Sequence, residues 1–131
     1  MRANPIKSYR DLEVYQRSYK AMLRVMKELI LKLPPSEKYD LKDQVSRSCK
    51  AIPRLIAEGF AKKHQKFGFK KYLDDALAES NETIVSIEQS RDIYDIDVAL
   101  CNELVNEYNI TSKQLYKLRE SWNNFQEKTD D

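Results

Sequence analysis

Hydrophobic residues recur at alternating steps of three and four in four long stretches of this chain, the spacing that lines one face of an α-helix. The first stretch, about residues 11–33, places Leu12, Tyr15, Tyr19, Met22, Met26, Leu29 and Leu33 in a heptad seam. Asp11 is the predicted N-cap, and Pro34–Pro35 end the helix. The second, about 36–62, opens at Ser36 and puts Leu41, Val45, Ser48, Ile52, Ile56, Gly59 and Phe60 on one side. The third, about 69–91, follows the turn "KKHQKFGF" and is lined by Phe69, Leu73, Ala76, Leu77, Ser80, Ile84 and Ile87. The fourth, about 98–126, runs through Cys101, Leu104, Tyr108, Thr111, Leu115, Leu118, Trp122 and Phe125. Long amphipathic helices joined by short connections predict one all-α domain over residues 1–131, an antiparallel up-down-up-down four-helix bundle.

Two breakers stand inside the second helix. Pro53 removes one backbone donor and crowds the carbonyl of Cys49, so a bend is expected at residues 49–52. Gly59 lies on the apolar side, where a missing side chain allows another helix to approach closely.

Composition changes this picture little. Apolar residues make up 41% of 131 and charged residues 34%, with two glycines, which fits helices and opposes a turn-rich β fold. No apolar run is long enough for a membrane span or a signal peptide, so a cytoplasmic location is expected. Cys49 and Cys101 fall at apolar helical positions, outside any CxxC pair, and read as small hydrophobes.

Charge distribution says more than the net +2. Residues 46–71 hold eight Lys or Arg against Glu58 alone, while residues 72–108 hold ten acids against Arg91 alone. On a helical wheel at about 100° per residue, Arg47, Lys50 and Arg54 form one stripe opposite the core positions. Lys62, Lys63, Lys66, Lys70 and Lys71 extend it around one end of the bundle. Such a surface suits phosphate contact. It also suits ordinary pairing, since Asp43 and Glu58 stand four residues from Arg47 and Arg54. Eight tyrosines, a residue type enriched at interfaces, point to an oligomer.

Signals for catalysis are sparse. His64 is the lone histidine, too few for a di-iron carboxylate bundle, and no P-loop or GxGxxG occurs. Asp75, Glu79 and Glu82 share a helix face where paired carboxylates would hold a cation in a metal-dependent enzyme, although such clusters are usually solvated surface. No enzyme activity and no cofactor are expected.

The runs "EKYDLKDQVSRSCKAIPRLIAEGFAKK", "FKKYLDDALAESNE" and "DLEVYQRSYKAM" resemble the four-helix-bundle family of proteins encoded in intervening sequences of bacterial 23S rRNA genes. The signature is Glu37-Lys38-Tyr39, Leu41, Asp43-Gln44, Arg47, Ile52-Pro53 and Ile56-Ala57-Glu58-Gly59-Phe60, within a likeness spanning Tyr9 to Trp122. Arg54-Leu55 replaces the family's frequent Ala-Asn, and Ala61-Lys62 its Gly-Arg. The resemblance implies a ring-shaped homo-oligomer, typically a pentamer. It also implies kinship with the accessory (variability determinant) proteins of diversity-generating retroelements, which bind nucleic acid through a basic surface and partner a reverse transcriptase. The expected function is therefore non-enzymatic binding of structured RNA or RNA–DNA, with Arg47, Lys50, Arg54, Lys62, Lys63, Lys66, Lys70 and Lys71 contacting phosphates. The alternative is a protein-interaction scaffold whose basic and acidic blocks meet across subunits.

Overall fold

A computed structural model of the chain describes residues 5–129, with side chains as far as residue 122. Among the described residues there are four long helices and no strand. α1 spans Glu13–Arg24 and continues through a π-helical turn, Val25–Leu29, and a 3-10 turn, Ile30–Lys32. α2 spans Leu41–Ala61, α3 Gly68–Tyr94 and α4 Val98–Thr129. α3 packs against both α2 and α4, and α1 makes lighter contact with α2 and α4.

One apolar core runs through all four helices. Val25, Val45, Ile52, Ile56, Phe69, Leu73, Ile87, Leu104 and Leu115 are wholly removed from solvent. Full burial of such a side chain contributes roughly 1.5–3 kcal/mol. Cys49 and Cys101 are free thiols buried in this core. Phe125, expected in the fourth seam, lies outside the described side chains.

The first seam differs from expectation. Val14, Ser18, Ala21 and Val25 face the core, whereas Tyr15 and Met22 are half-buried and Tyr19 is 43% exposed. The small Ser18 and Ala21 sit inside, and the bulkier residues one position further on flank them. Yet Leu29 and Leu33 are buried as expected. The π-helical turn accounts for both facts: it adds about one residue to a turn, which rotates the C-terminal part of the helix by roughly 100°. The heptad pattern is continuous in sequence, but the helix is not continuous in geometry.

Helix starts also moved. Asp11 does not cap α1; its carboxylate accepts the N–H groups of Lys7 (2.9 Å) and Ser8 (3.0 Å) in a capping box around a preceding 3-10 turn, Tyr9–Asp11. Nor does α2 begin at Ser36. Pro35–Glu37 forms its own short turn, Asp40 leaves the helical region of backbone space, and the helix begins at Leu41. The carboxylate of Glu37 accepts the Leu41 N–H at 3.0 Å and so caps that helix from outside it. Glu37 also accepts a hydrogen bond from the Tyr94 hydroxyl, tying the start of α2 to the end of α3.

Pro53 is buried, and α2 runs through it without interruption. Gly59 is buried against α3: a Cβ there would stand 2.5 Å from the Tyr72 Cβ and 3.0 Å from the Phe69 ring. Gly68 is tighter, because its Cβ would meet the Lys62 carbonyl oxygen at 2.1 Å. Both glycines exist for close approach, one of helix to helix and one of helix to loop backbone. Buried hydroxyls add to the seams of α3. Thr83 donates either to Ser48 on α2 or to the Glu79 carbonyl (both 2.8 Å), and Ser80 and Ser112 on α4 lie 2.8 Å apart.

Charges close the α1–α4 side. Arg17 pairs with Glu107 at 2.6 Å, Arg24 with Glu103 at 2.8 Å, and Lys32 with Asp97. Partner numbers fall along α4 as residue numbers rise along α1.

Candidate nucleic-acid interface

The eight cations singled out by sequence do not share one environment. Arg47 is highly exposed but pairs with Asp43 at 3.6 Å. It borders a cleft of about 310 Å³ lined also by Gln44, Ser48, Glu79 and Glu82. There Glu79 is pushed above the usual carboxylate range, first by burial and then by the neighbouring Glu82, and Arg47 opposes the rise. Arg47 thus faces carboxylates of α3. Asp75 is exposed beside this pair, and among the described residues no three His, Cys, Asp or Glu side chains are grouped to hold a metal ion.

Lys50 and Arg54 face the other way. Both are exposed, and both line a groove of about 430 Å³ between the start of α1 and the middle of α2. Pro53 forms part of its α2 wall, and Tyr9, Tyr15, Tyr19 and Met22 supply the opposite one. Tyr9 meets Tyr15 edge-on with ring centres 4.9 Å apart, and Tyr15 meets Tyr19 at 5.9 Å with a 36° tilt. Burial, followed by the adjacent Tyr9, raises the pKa of Tyr15. The pairing of Arg54 with Glu58 that the spacing allowed does not form.

The remaining cations surround the α2–α3 loop. Lys62, Lys66 and Lys71 are exposed, and Lys63 and Lys70 are partly covered. Lys62 donates to the Tyr72 hydroxyl at 2.8 Å, which raises its pKa. Lys63 lies 4.3 Å above the Phe60 ring, and Lys66 and Lys70 lie 5.5 and 5.3 Å from the ring of Phe67. Phe67 itself is 57% exposed and held at φ 61°, in the left-handed region that bulky residues avoid. The loop is fixed by Gln65 N–H to Lys62 carbonyl (3.0 Å) and Gly68 N–H to Gln65 carbonyl (2.9 Å). Its cations are therefore presented on a defined frame.

Six of the eight cations share one feature. Among the described residues, Lys50, Arg54, Lys62, Lys66, Lys70 and Lys71 have no carboxylate within ion-pair distance. The acidic block supplies its partners elsewhere: Asp97, Glu103 and Glu107 go to α1, and Asp74 goes to Arg119 on α4. Sequence reasoning located the cations but missed the tyrosine groove and the raised Phe67. The excess of tyrosine was the available signal for the groove; the left-handed backbone at Phe67 left none.

Neither cysteine suits nucleophilic chemistry. Burial pushes the Cys49 thiol up to about 12 and raises Cys101 as well, so both stay protonated near neutral pH.

These features belong to a recognisable class of helical protein. The family model of the 23S rRNA-intervening sequence protein matches residues 10–117, and the chain belongs to that family. Among solved structures, it is similar to a protein of unknown function from the S23 ribosomal protein family of Bacteroides thetaiotaomicron VPI-5482. That likeness has a TM-score of 0.72 at 21% identity, covers 81% of this chain and 97% of the other, and establishes the shared fold. No curated protein matches the chain.

Proposed function

We propose that this chain is a non-enzymatic nucleic-acid-binding protein that holds structured RNA or an RNA–DNA hybrid on its basic surface. The four helices form an antiparallel up-down-up-down bundle, supported by the falling register of the α1–α4 ion pairs. Copies assemble into a ring-shaped homo-oligomer, a pentamer on the family resemblance, and act as an accessory subunit of a reverse transcriptase.

The observation that carries the binding reading is the set of cations left without carboxylate partners around α2 and the α2–α3 loop. Folding does not require them to neutralise one another's neighbours, so their charge is available to phosphates. Lys50, Arg54, Lys62, Lys66, Lys70 and Lys71 contribute most, with Lys63 beside them. Arg47 contributes least, because Asp43, Glu79 and Glu82 offset it.

The test is a gel-shift titration with structured RNA across a salt series, comparing wild type with the pair Arg54→Glu and Lys66→Glu. Binding should weaken at least tenfold, and the slope of log K against log salt should become shallower by about 0.7–0.9 for each phosphate that is no longer neutralised. Equal binding by wild type and variant defeats the proposal.

The scaffold reading draws on a different observation. The exposed Asp75 and Glu82 of α3 have no cation at ion-pair distance among the described residues, and they could meet the basic surface of another copy. It predicts that the oligomer dissociates in high salt and that purified protein carries no absorbance excess at 260 nm.

A further inference from the structure

We infer that the groove between α1 and α2 is a seat for an unpaired nucleobase, with Lys50 and Arg54 holding the phosphate beside it. The inference rests on the nucleic-acid reading and specifies which form of nucleic acid the protein takes at this place.

α1 carries a mismatch. Its bulkiest apolar residues pack at the edge of the core, Tyr15 and Met22 half-buried and Tyr19 exposed. Val14, Ser18 and Ala21 take the core positions, and Tyr15, Tyr19 and Met22 are turned aside towards α2. Here they wall a cleft of about 430 Å³, within the range of small-ligand sites.

The aromatic order within the cleft is specific. Tyr9 packs edge-on against Tyr15, and Tyr15 backs Tyr19. Tyr19 is the exposed ring at the end of this series, 43% open to solvent. An exposed, backed aromatic ring offers a stacking face to any base, since every base has a π-face. In a duplex both faces of each base are covered by its neighbours, so only an unpaired base can use this ring.

The rim supplies the other half of the chemistry. Lys50 and Arg54 stand one helical turn apart on the α2 side, and neither has a carboxylate partner. A cleft with aromatic walls and unpaired cations at its edge fits a flat apolar ring carrying an anion. It fits an acidic protein segment less well, because two cations leave a three-tyrosine wall unexplained. A second copy of this chain is the competing occupant.

Fluorescence anisotropy decides among these. The probes are a labelled, unstructured oligoribonucleotide and a labelled RNA duplex, each titrated with wild type, Tyr19→Ala, Tyr19→Phe and Tyr39→Ala over a salt series. Tyr39 is 86% exposed and outside the groove, so it controls for loss of any surface tyrosine. Tyr19→Ala should weaken single-strand binding about 5- to 100-fold with an unchanged salt slope, because the stack goes and every neutralised phosphate stays. Tyr19→Phe, Tyr39→Ala and all duplex affinities should stay at wild-type values.

If Tyr19→Ala binds the single strand as tightly as wild type, or wild type takes duplex and refuses the single strand, the base seat is wrong and the basic-surface reading stands. If wild type binds neither probe, both fall. If Tyr19→Ala alters the sedimentation coefficient and leaves RNA affinity intact, the groove joins two copies and the inference is overturned.

Discussion

The two flanks of this molecule hold their helices together by different means. Along α1 and α4, three ion pairs bridge the seam: Arg17–Glu107, Arg24–Glu103 and Lys32–Asp97. Between α2 and α3 no ion pair forms among the described residues, and the contact is mainly steric and apolar, with the buried Thr83–Ser48 hydroxyl pair set into it. Gly59 lets the Tyr72 Cβ come close, Gly68 lets the Lys62 carbonyl come close, and Phe60 meets Phe69 edge-on at 5.7 Å. Cations bridge the helices on the α1–α4 flank, whereas Lys50, Arg54, Lys62, Lys66, Lys70 and Lys71 of α2, the loop and α3 have no carboxylate within ion-pair distance among the described residues. That difference shows why net charge said so little, and why a basic block beside an acidic block in sequence does not imply that the two pair. The acids of residues 97–107 reach across to α1, and the cations of α2 and its loop remain over.

If close approach carries the α2–α3 flank, filling it should do the most damage. Gly68→Ala drives a methyl group against a backbone oxygen that cannot swing away. The expected loss is about 3 kcal/mol, at the upper end for overpacking, read from urea denaturation at constant m-value. Gly59→Ala would bring a methyl group 2.5 Å from the Tyr72 Cβ, which is fixed to the α3 backbone, so α2 and α3 must move apart and the cost should be of the same order. Gly68→Ala at wild-type stability would mean that the loop tolerates a shift and that its frame is not fixed.

Charge reversal on the same flank should do the opposite. Arg54→Glu with Lys66→Glu removes cations without partners, so stability should stay within about 0.5 kcal/mol of wild type. Nucleic-acid affinity, by contrast, should fall at least tenfold in the gel-shift titration. A stability loss matching the affinity loss would erase the contrast between the flanks.

The α1–α4 flank should respond moderately and only through stability. A double-mutant cycle of Arg17→Met and Glu107→Gln should give a coupling of up to about 1 kcal/mol, the range for partly exposed pairs. It should shrink as salt is raised. RNA affinity should not change in either single variant. A coupling near zero would assign this seam to its apolar contacts instead.

The sequence revealed the helices but not their rotation. The third and fourth helices lie within about three residues of the predicted ends, because unbroken three-four spacing and the turn at Gly68 leave few alternatives. The second is shorter at its start, since the two prolines form a separate turn that spacing does not encode. For α1 the heptad of Tyr15, Tyr19, Met22 and Met26 pointed to the core, and the core took Ser18 and Ala21. Periodicity reports that a face exists; it cannot report a π-helical turn that rotates half the helix relative to the rest. The same limit governs the candidate site. Outward cations followed from the wheel, but the division of Arg47 from Lys50 and Arg54 needed to know which neighbour stands on each side of α2. Phe67, left-handed beside Gly68, was beyond any pattern argument.

The smallest expected effect concerns acid, and its sign separates two kinds of carboxylate. Glu37 is held below its ordinary value of 4.5 by the Tyr94 hydroxyl and then by the Leu41 N–H. Asp97 is held low by Lys32 and then by the Leu100 N–H, and Asp11 by the Lys7 and Ser8 N–H groups. A carboxylate with a lowered folded-state pKa contributes stability that is present above its unfolded value and is lost as pH falls through the folded one. Glu79 runs the other way: its raised pKa means that stability is lost as pH rises through the folded value. Melting temperature should therefore hold or rise slightly as pH drops from neutral towards 5, and then decline below about 4.5 as the capping carboxylates protonate. Glu79→Gln should flatten the first part and raise stability at neutral pH. Glu37→Gln should lower stability at neutral pH and soften the acid decline, because its capping charge is already absent. Glu37→Gln with an unaltered acid profile would mean that the link from α2 to Tyr94 is carried by the hydrogen bond alone, and the α2–α3 flank would then owe nothing to charge at either end.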